Sequence, residues 1–446
     1  MSDDFKIPDT SDTEETGRFI MFFHPEALPD VSRAARDLAG MKMPTTRGEA
    51  EEVAASGEWG GMDAFVLPTL GVAVSSVPPE QMALLAAAAD DLPIRRVRRE
   101  YVFRIASDFG APDVRVSSEY LRGFRAGVDA LAGSLLGGAP APSPLAEAQV
   151  LAGTSFRDNE SFTWGLQATG VSESQLTGRG VRVALLDTGF DAAHPDFAGR
   201  EQEVVSMNFV PGVQTAADDN GHGTHCLGTL GGPLKAGAGP RYGIACDAEL
   251  FVGKVMKSTG KGDEWDILKG IEWAIQNRCR IVSLSLGKEV APGASPDPDY
   301  EEIGALALSH NCLLIAAAGN ESERPGPIAP VNIPANSRTV MAVGAIDRRL
   351  GLFRNSNGGL NPDGGQIDLV GPGVEVRSSK RLPPHPHYGN ASGTSMATPH
   401  VAGVAALLMQ EDPGATAEAI WARLTQRSLR LDLPGRDVGN GLVRVG

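Results

Sequence analysis

The sequence predicts an α/β protein: a mostly parallel sheet covered by helices on both faces, preceded by a smaller α+β unit. Three observations carry this. After Phe162, short and nearly unbroken apolar runs recur: "GVRVALLDTG", "AELFVGKVM", "CRIVSLSLG", "NCLLIAAAGN" and "TVMAVGAID". Helical stretches lie between them, over residues 263–277 and 299–311. Strands apolar on both sides and alternating with helices belong to a parallel sheet buried on both faces. The third observation is the order of elements in the first hundred residues, which reads β-α-β-β-α-β, the split βαβ pattern.

Taken in order, residues 1–16 are acidic and polar and are expected to lack fixed structure. "RFIMFF" predicts a strand and "PEALPDVSRAARDLAG" a helix. A Gly- and Glu-rich stretch runs to Gly61. "MDAFVL" and "VAVSSV" predict two strands around a turn. "PPEQMALLAAAADD" predicts a helix opening on Pro79 and Glu80, and "PIRRVRREYVF" a closing strand. Residues 17–103 form the small unit on this reading. Residues 104–160 are a linker with a candidate amphipathic helix over 117–136, followed by the Pro- and Ala-rich stretch 137–149. Residues 161–446 form the large unit. Within it, "GTSMATPHVAGVAALLMQ" is apolar all round from Val401 onward, the pattern of a helix in the middle of a core.

The 446 residues carry a formal net charge of −15, and the sequence pI is about 5.1. An acidic surface argues against a nucleic-acid partner, since phosphate binding needs clustered Lys and Arg. The one basic run, "RRVRRE", alternates with apolar residues and is placed on a strand. No apolar stretch is long enough to span a bilayer, so no membrane partner is expected. The N-terminus lacks the basic start and apolar run of a secretory signal. The expectation is a cytoplasmic protein or one exported by a non-classical route. The four cysteines are Cys226, Cys246, Cys279 and Cys312. They show no zinc spacing and are read as buried thiols.

In such sheets ligands bind beyond the carboxyl ends of the strands. Asp187, Ser285 and Asn320 stand at those ends. A carboxylate at Asp187 would be buried and needs a donor. His222 sits between two glycines, which allow close approach of another element. Ser395 heads the apolar helix, whose free N–H groups favour negative charge nearby. Serine nucleophilic catalysis needs a hydroxyl, a base, a carboxylate that orients the base, and donors for the oxyanion.

Asp187, His222 and Ser395, in that order, with Asn320 between the last two, resemble the subtilisin family of serine proteases. The stretches "VALLDTG", "NGHGTHC", "SLSLG", "AAAGNE", "NIPAN" and "ASGTSMATPHVAGVAALL" carry the resemblance in register from about Trp164 to the C-terminus. The N-terminal unit resembles that family's inhibitory propeptide. The resemblance implies a three-layer subtilisin-like sandwich, a ferredoxin-like propeptide, and a serine endopeptidase made as a self-inhibited zymogen. Ser395 would be the nucleophile, His222 the general base, Asp187 its orienting carboxylate and Asn320 an oxyanion-hole donor. Ser285, Leu286 and Gly287 match the edge segment that pairs with the substrate backbone. Glu321, at the pocket rim, is either a solvated charge or a group selecting a basic substrate residue. His225 is a rival base, set aside because the resemblance places the base between the glycines; His194 and His400 are given structural roles, and Asp191 and Asp196 local turns. Cys226 is expected as a thiol beneath His222.

The expected partners are polypeptide substrates and the chain's own propeptide, in a monomer. No cofactor is required and no metal ligand is assigned. The family's usual calcium loop is here "GGPLKAGAGPRYGIA", without a carboxylate, leaving calcium to other sites if it binds at all. Propeptide cleavage is expected within residues 137–160. Two other readings stand beside this one: a non-catalytic binding protein on a protease fold, and a dedicated processing protease for one partner.

Overall fold

The computed structural model describes residues 16–56, 61–87, 92–106, 155–198, 204–361, 363–381 and 387–446. The candidate helix over 117–136 and the Pro- and Ala-rich stretch over 137–149 lie outside these residues. The small unit runs β1 (Phe19–Phe23), α1 (Leu28–Ala39), α2 (Arg47–Ser56), β2 (Ala64–Leu67), β3 (Val72–Ser75), α3 (Pro79–Ala87) and β4 (Ile94–Arg99). Its antiparallel sheet has the order β2-β3-β1-β4. The Gly- and Glu-rich stretch, to which the sequence assigned no element, holds a helix, α2. Three glutamates and alanines outweigh its single internal glycine.

Side chains alternate across a strand, and in β1 both sets are buried. Met21 and Phe23 pack with Val31, Ala35, Met82 and Leu85 of the unit's own helices. Ile20 and Phe22 join Phe65, Val72 and Val74 in the core shared with the large unit. The run "FIMFF" is therefore continuous because its sheet is covered twice, by its own helices and by the second unit.

The basic strand behaves differently. The run 93–103 predicts one strand but forms two. β4 ends at Arg99, and β5 (Val102–Ile105) leaves the small sheet. β5 pairs antiparallel with β9 (Lys261–Asp263) on one side and β11 (Leu286–Gly287) on the other. Both neighbours belong to the large unit. The break falls at Glu100, whose carboxylate accepts from Trp265 N–H at 2.8 Å and from Arg18 Nε at 2.6 Å.

The large unit's sheet has seven strands, β6 (Arg182–Asp187), β7 (Val205–Asn208), β8 (Glu249–Lys254), β10 (Ile281–Leu284), β12 (Leu313–Ala317), β13 (Met341–Ile346) and β14 (Leu369–Pro372). Their order is β14-β13-β12-β10-β6-β8-β7, and every pairing is parallel. The helices are α4 (His222–Gly231), α5 (Glu264–Gln276), α6 (Pro298–Ser309), α7 (Thr394–Glu411) and α8 (Ala417–Gln426). α7 packs on α4 and on strands β10, β12, β13 and β14. Every residue of α7 from Thr394 to Met409 is buried, as its unbroken apolar pattern requires. Among the described residues no helix is long and apolar enough to cross a membrane. All four cysteines are buried.

Candidate active site

Asp187 ends β6 and His222 opens α4. Two glycines bring them together. Gly221 takes a φ of +109°, which only glycine adopts without strain. A Cβ on Gly223 would stand 2.1 Å from the carbonyl oxygen of Gly189, just after the Asp187 strand. With both in place, His222 Nδ1 meets Asp187 Oδ1 at 2.7 Å, and both side chains are buried. Burial of the ring opposes its charge, but the Asp187 carboxylate outweighs this and raises the imidazole well above its ordinary basicity.

A second carboxylate, which sequence reasoning missed, anchors this corner. Asp218 accepts from Gly221 N–H at 2.8 Å, Thr224 N–H at 2.9 Å and Thr188 Oγ1 at 2.8 Å. It closes the N-terminus of α4 and ties it to the residue after Asp187. The signal was present: an Asp four residues before the helix, followed by Asn-Gly.

Ser395 is the second residue of α7. Pro399, four residues on, has no N–H, so the Ser395 carbonyl loses its partner within the helix. Ser285 Oγ donates to that carbonyl at 2.9 Å, and Cys226 Sγ lies 3.5 Å from it. Cys226 Sγ is also 3.8 and 3.9 Å from the two ring nitrogens of His222. The thiol sits where expected and links the serine segment to the histidine. Asp187, His222 and Cys226 offer ligand atoms within 4.8 Å of one another, but the Asp187 and His222 atoms already bond each other.

Asn320 Oδ1 accepts from Thr394 N–H at 3.0 Å and Thr394 Oγ1 at 3.1 Å. This fixes the amide's orientation. Its Nδ2 is buried and has no partner among the described residues. A buried amide donor with nothing to bond is costly, and it lies at the head of α7, beside the backbone N–H of Ser395.

The cleft is filled by the chain itself. β5 pairs Leu286 with Ile105 and Gly287 with Arg104, the edge segment expected to hold a substrate backbone. Ile105 N–H donates to Gly260 O at 3.0 Å and Ala106 N–H to Ser285 O at 3.2 Å. The Ala106 carbonyl accepts from Ser395 N–H at 3.1 Å. Ser395 Oγ contacts that same carbonyl and lies 3.0 Å from Ser285 O. Phe103, three residues before Ala106, is fully buried against Tyr300 with ring centroids 5.8 Å apart.

The rival residues take structural positions. His225 Nε2 bonds Val376 O at 3.0 Å, and burial pushes its ring down to about 3. His400 Nδ1 bonds Met396 O at 2.8 Å, and burial pushes it down to about 4. His194 Nε2 bonds His387 O at 2.6 Å. Asp191 holds a local turn through Ala193 N–H at 3.0 Å. Asp196 reaches much further than a turn: it accepts from Gly237 N–H at 2.7 Å, Tyr242 OH at 2.6 Å and Tyr388 OH at 3.1 Å. Glu321 stays exposed, with its Oε2 3.0 Å from Asn332 Nδ2 and 2.5 Å from Asn357 Nδ2.

A seven-stranded parallel sheet with a buried Asp–His pair at one strand end, and a serine heading the central helix beside a carboxamide, defines the subtilisin-like class of α/β serine proteases. The chain belongs to the subtilase family, whose model matches residues 178–441, more than half of its length. Similar relatives include M-protease of Shouchella clausii, 39% identical over 57% of this chain and 61% of the relative. Subtilisin Savinase of Lederbergia lenta is 38% identical over 57% of this chain and 86% of the relative. The intracellular serine protease of Paenibacillus polymyxa is 36% identical over 60% of this chain and 80% of the relative. The chain thus spans less than two thirds of the length of M-protease.

Proposed function

We propose that this chain is a serine endopeptidase held closed by its own N-terminal unit, and that its first cleavage falls between Ala106 and Ser107. The observation that carries the reading is the Ala106 carbonyl, bonded by Ser395 N–H at 3.1 Å and touched by Ser395 Oγ. A carbonyl so held is a substrate carbonyl, and β5 is a substrate strand supplied from within. The cleavage expected within residues 137–160 moves upstream on this ground, and any cut there would be a later one.

In the reaction, Ser395 Oγ attacks the Ala106 carbonyl carbon while His222 takes the hydroxyl proton. Asp187 holds the ring and stabilises the imidazolium. The oxyanion is met by Ser395 N–H and by Asn320 Nδ2, which has no other partner among the described residues. Collapse breaks the bond to the Ser107 nitrogen, which leaves with the proton from His222. Water, deprotonated by the same imidazole, then frees the acyl group and restores Ser395. These steps use the chain's own side chains and water, with no cofactor. The Ala106 carboxylate product stays in the cleft until the N-terminal unit departs, and other polypeptides then become substrates.

The test is the fate of the full chain. Wild type should yield a fragment ending at Ala106 by mass spectrometry, and a fluorophosphonate should attach at Ser395. Ser395→Ala should remain at 46.7 kDa. Shortening of purified Ser395→Ala, or absence of labelling in processed wild type, overturns the reading and leaves a binding protein on a protease fold.

A further inference from the structure

We propose that Lys254 is a positioning residue for the catalytic pair: its buried ammonium locks the end of β6, which carries Asp187, to the loop that delivers His222. It rests on the reading of Asp187, His222 and Ser395 as an active triad. β8 ends on this lysine, in register with Asp187 on the neighbouring strand. The side chain is fully buried. An ammonium in such a place is costly unless each of its three protons finds an acceptor. All of them do, on separate segments. Lys254 Nζ donates to Thr188 O at 2.7 Å, just past β6, and to Met256 O at 3.1 Å, just past its own strand. It also donates to Asp219 Oδ1 at 2.7 Å, in the loop before α4.

Both ends of this bridge lead into the site within a few residues. Thr188 N–H donates to Asp187 Oδ1 at 2.7 Å, the same oxygen that meets His222 Nδ1. Asp187 Oδ2 is buried with no partner among the described residues, so the carboxylate's orientation follows the Thr188 backbone. Thr188 Oγ1 accepts from Gly223 N–H at 2.8 Å, which ties the same residue to the first turn of α4. At the other end, Asp219 stands between Asp218, which closes the N-terminus of α4, and Asn220. Asn220 Oδ1 accepts from His222 N–H at 3.1 Å, and its Nδ2 donates to Ser258 O at 2.8 Å. The ammonium therefore fixes the spacing of the two segments whose side chains must meet at bond distance.

Stability alone gives no reason for a charge here. Replacing a buried ion pair by apolar groups of similar volume is often neutral or stabilising. The Asp219 side chain is 43% exposed, so water solvates it without Lys254. What an apolar side chain does not do is hold Thr188 O and Asp219 at a fixed separation. The titratable groups around the His222 ring are Asp187 from β6, and Cys226 and His225 from α4. Asp218, Asp219 and Lys254 lie beyond Thr188, and the last two cancel in net charge. Removing both of those charges together therefore leaves the net charge near His222 unchanged and removes only the clamp.

The experiment compares self-processed wild type with the double variant Lys254→Met/Asp219→Asn, on a Phe-Arg-Ile-Ala peptide carrying a chromogenic leaving group. Active sites are counted by complete fluorophosphonate titration and folding is checked by circular dichroism. Lys254→Leu/Asp219→Asn serves if the first pair does not fold. Per titrated site, kcat should fall by about tenfold to a hundredfold, the scale on which a small misplacement acts, with KM within about threefold of wild type. The acid limb of kcat/KM against pH should move down by about half a unit or more, because Asp187 raises the basicity of His222 only from bond distance. A kcat within about threefold of wild type in the folded variant overturns the inference. So does a loss carried by KM, or a loss in kcat with the acid limb unmoved. In each of those cases the endopeptidase reading survives. Absence of both hydrolysis and fluorophosphonate labelling in wild type fails both.

Discussion

Replacing Arg98 with alanine should loosen the N-terminal unit far more than a surface charge would. Arg98 Nη1 and Nη2 each donate to Glu264 at 2.8 Å, and its Nε donates to Asp299 at 2.6 Å. The guanidinium stands 3.8 Å from the centre of the Tyr101 ring. The Glu264 and Asp299 side chains are 0% and 1% exposed. After truncation Asp299 keeps Arg96 at 2.5 Å, but Glu264 loses both guanidinium bonds and keeps Tyr101 N–H at 2.9 Å. Breaking a buried pair from one side costs about 3–5 kcal/mol, because a charge is left dry and unpaired. With the unit undocked, both carboxylates meet water, so the cost falls on the docked state. At about 1.4 kcal/mol per tenfold, the undocked population should rise roughly 10² to 4 × 10³-fold. The assay is native-state hydrogen exchange on full-length Ser395→Ala, reading the amides of Ile105 and Ala106 that bond Gly260 and Ser285. Their exchange should accelerate by that factor, while the amides of β10 and β12 stay protected. Acceleration below about threefold in a folded variant would refute the claim that this pair holds the cleft shut.

Two further outcomes follow from the geometry. Asn320→Ala should lower kcat by about 10² to 10³-fold with KM little changed, the effect of losing one oxyanion donor; a change confined to KM would assign Asn320 to ground-state binding. The docking should also depend on pH through Glu272 of α5, which accepts Thr69 N–H at 3.3 Å and Leu70 N–H at 3.0 Å from the small unit. Burial pushes its carboxyl up from 4.5 to about 7, against the two donors that favour its charge. Docked, it favours the protonated form, so docking takes up a proton between those values and weakens as pH rises through about 7. Exchange protection of Ile105, corrected for intrinsic rate, should be lower at about pH 8 than at about pH 5, and Glu272→Gln should flatten the difference. Protection that grows with pH contradicts this.

The sheet strands were legible because each is buried on both faces and reads as an apolar run. α7 was legible for the same reason. Asp187, His222, Asn320 and Ser395 were legible because each is a polar residue where a strand ends or a helix begins. Asp218 was overlooked although its bonds from Gly221 and Thr224 are local; its tie to Thr188, 30 residues away, is what no local pattern shows. The break at Glu100 was overlooked because "PIRRVRREYVF" holds no Gly or internal Pro to mark it. Nothing in the run says which sheet a strand will join.

By itself, then, the sequence determined the parallel sheet, its central helix and the residue types that stand at the cleft, since local apolar periodicity and strand-end polarity encode them. Only the tertiary structure decided what lies in the cleft. The partners of Val102–Ile105 are β9 and β11, more than 150 residues away along the chain. Strand pairing is set by non-local contacts, because which surfaces meet is decided only when the sheet assembles.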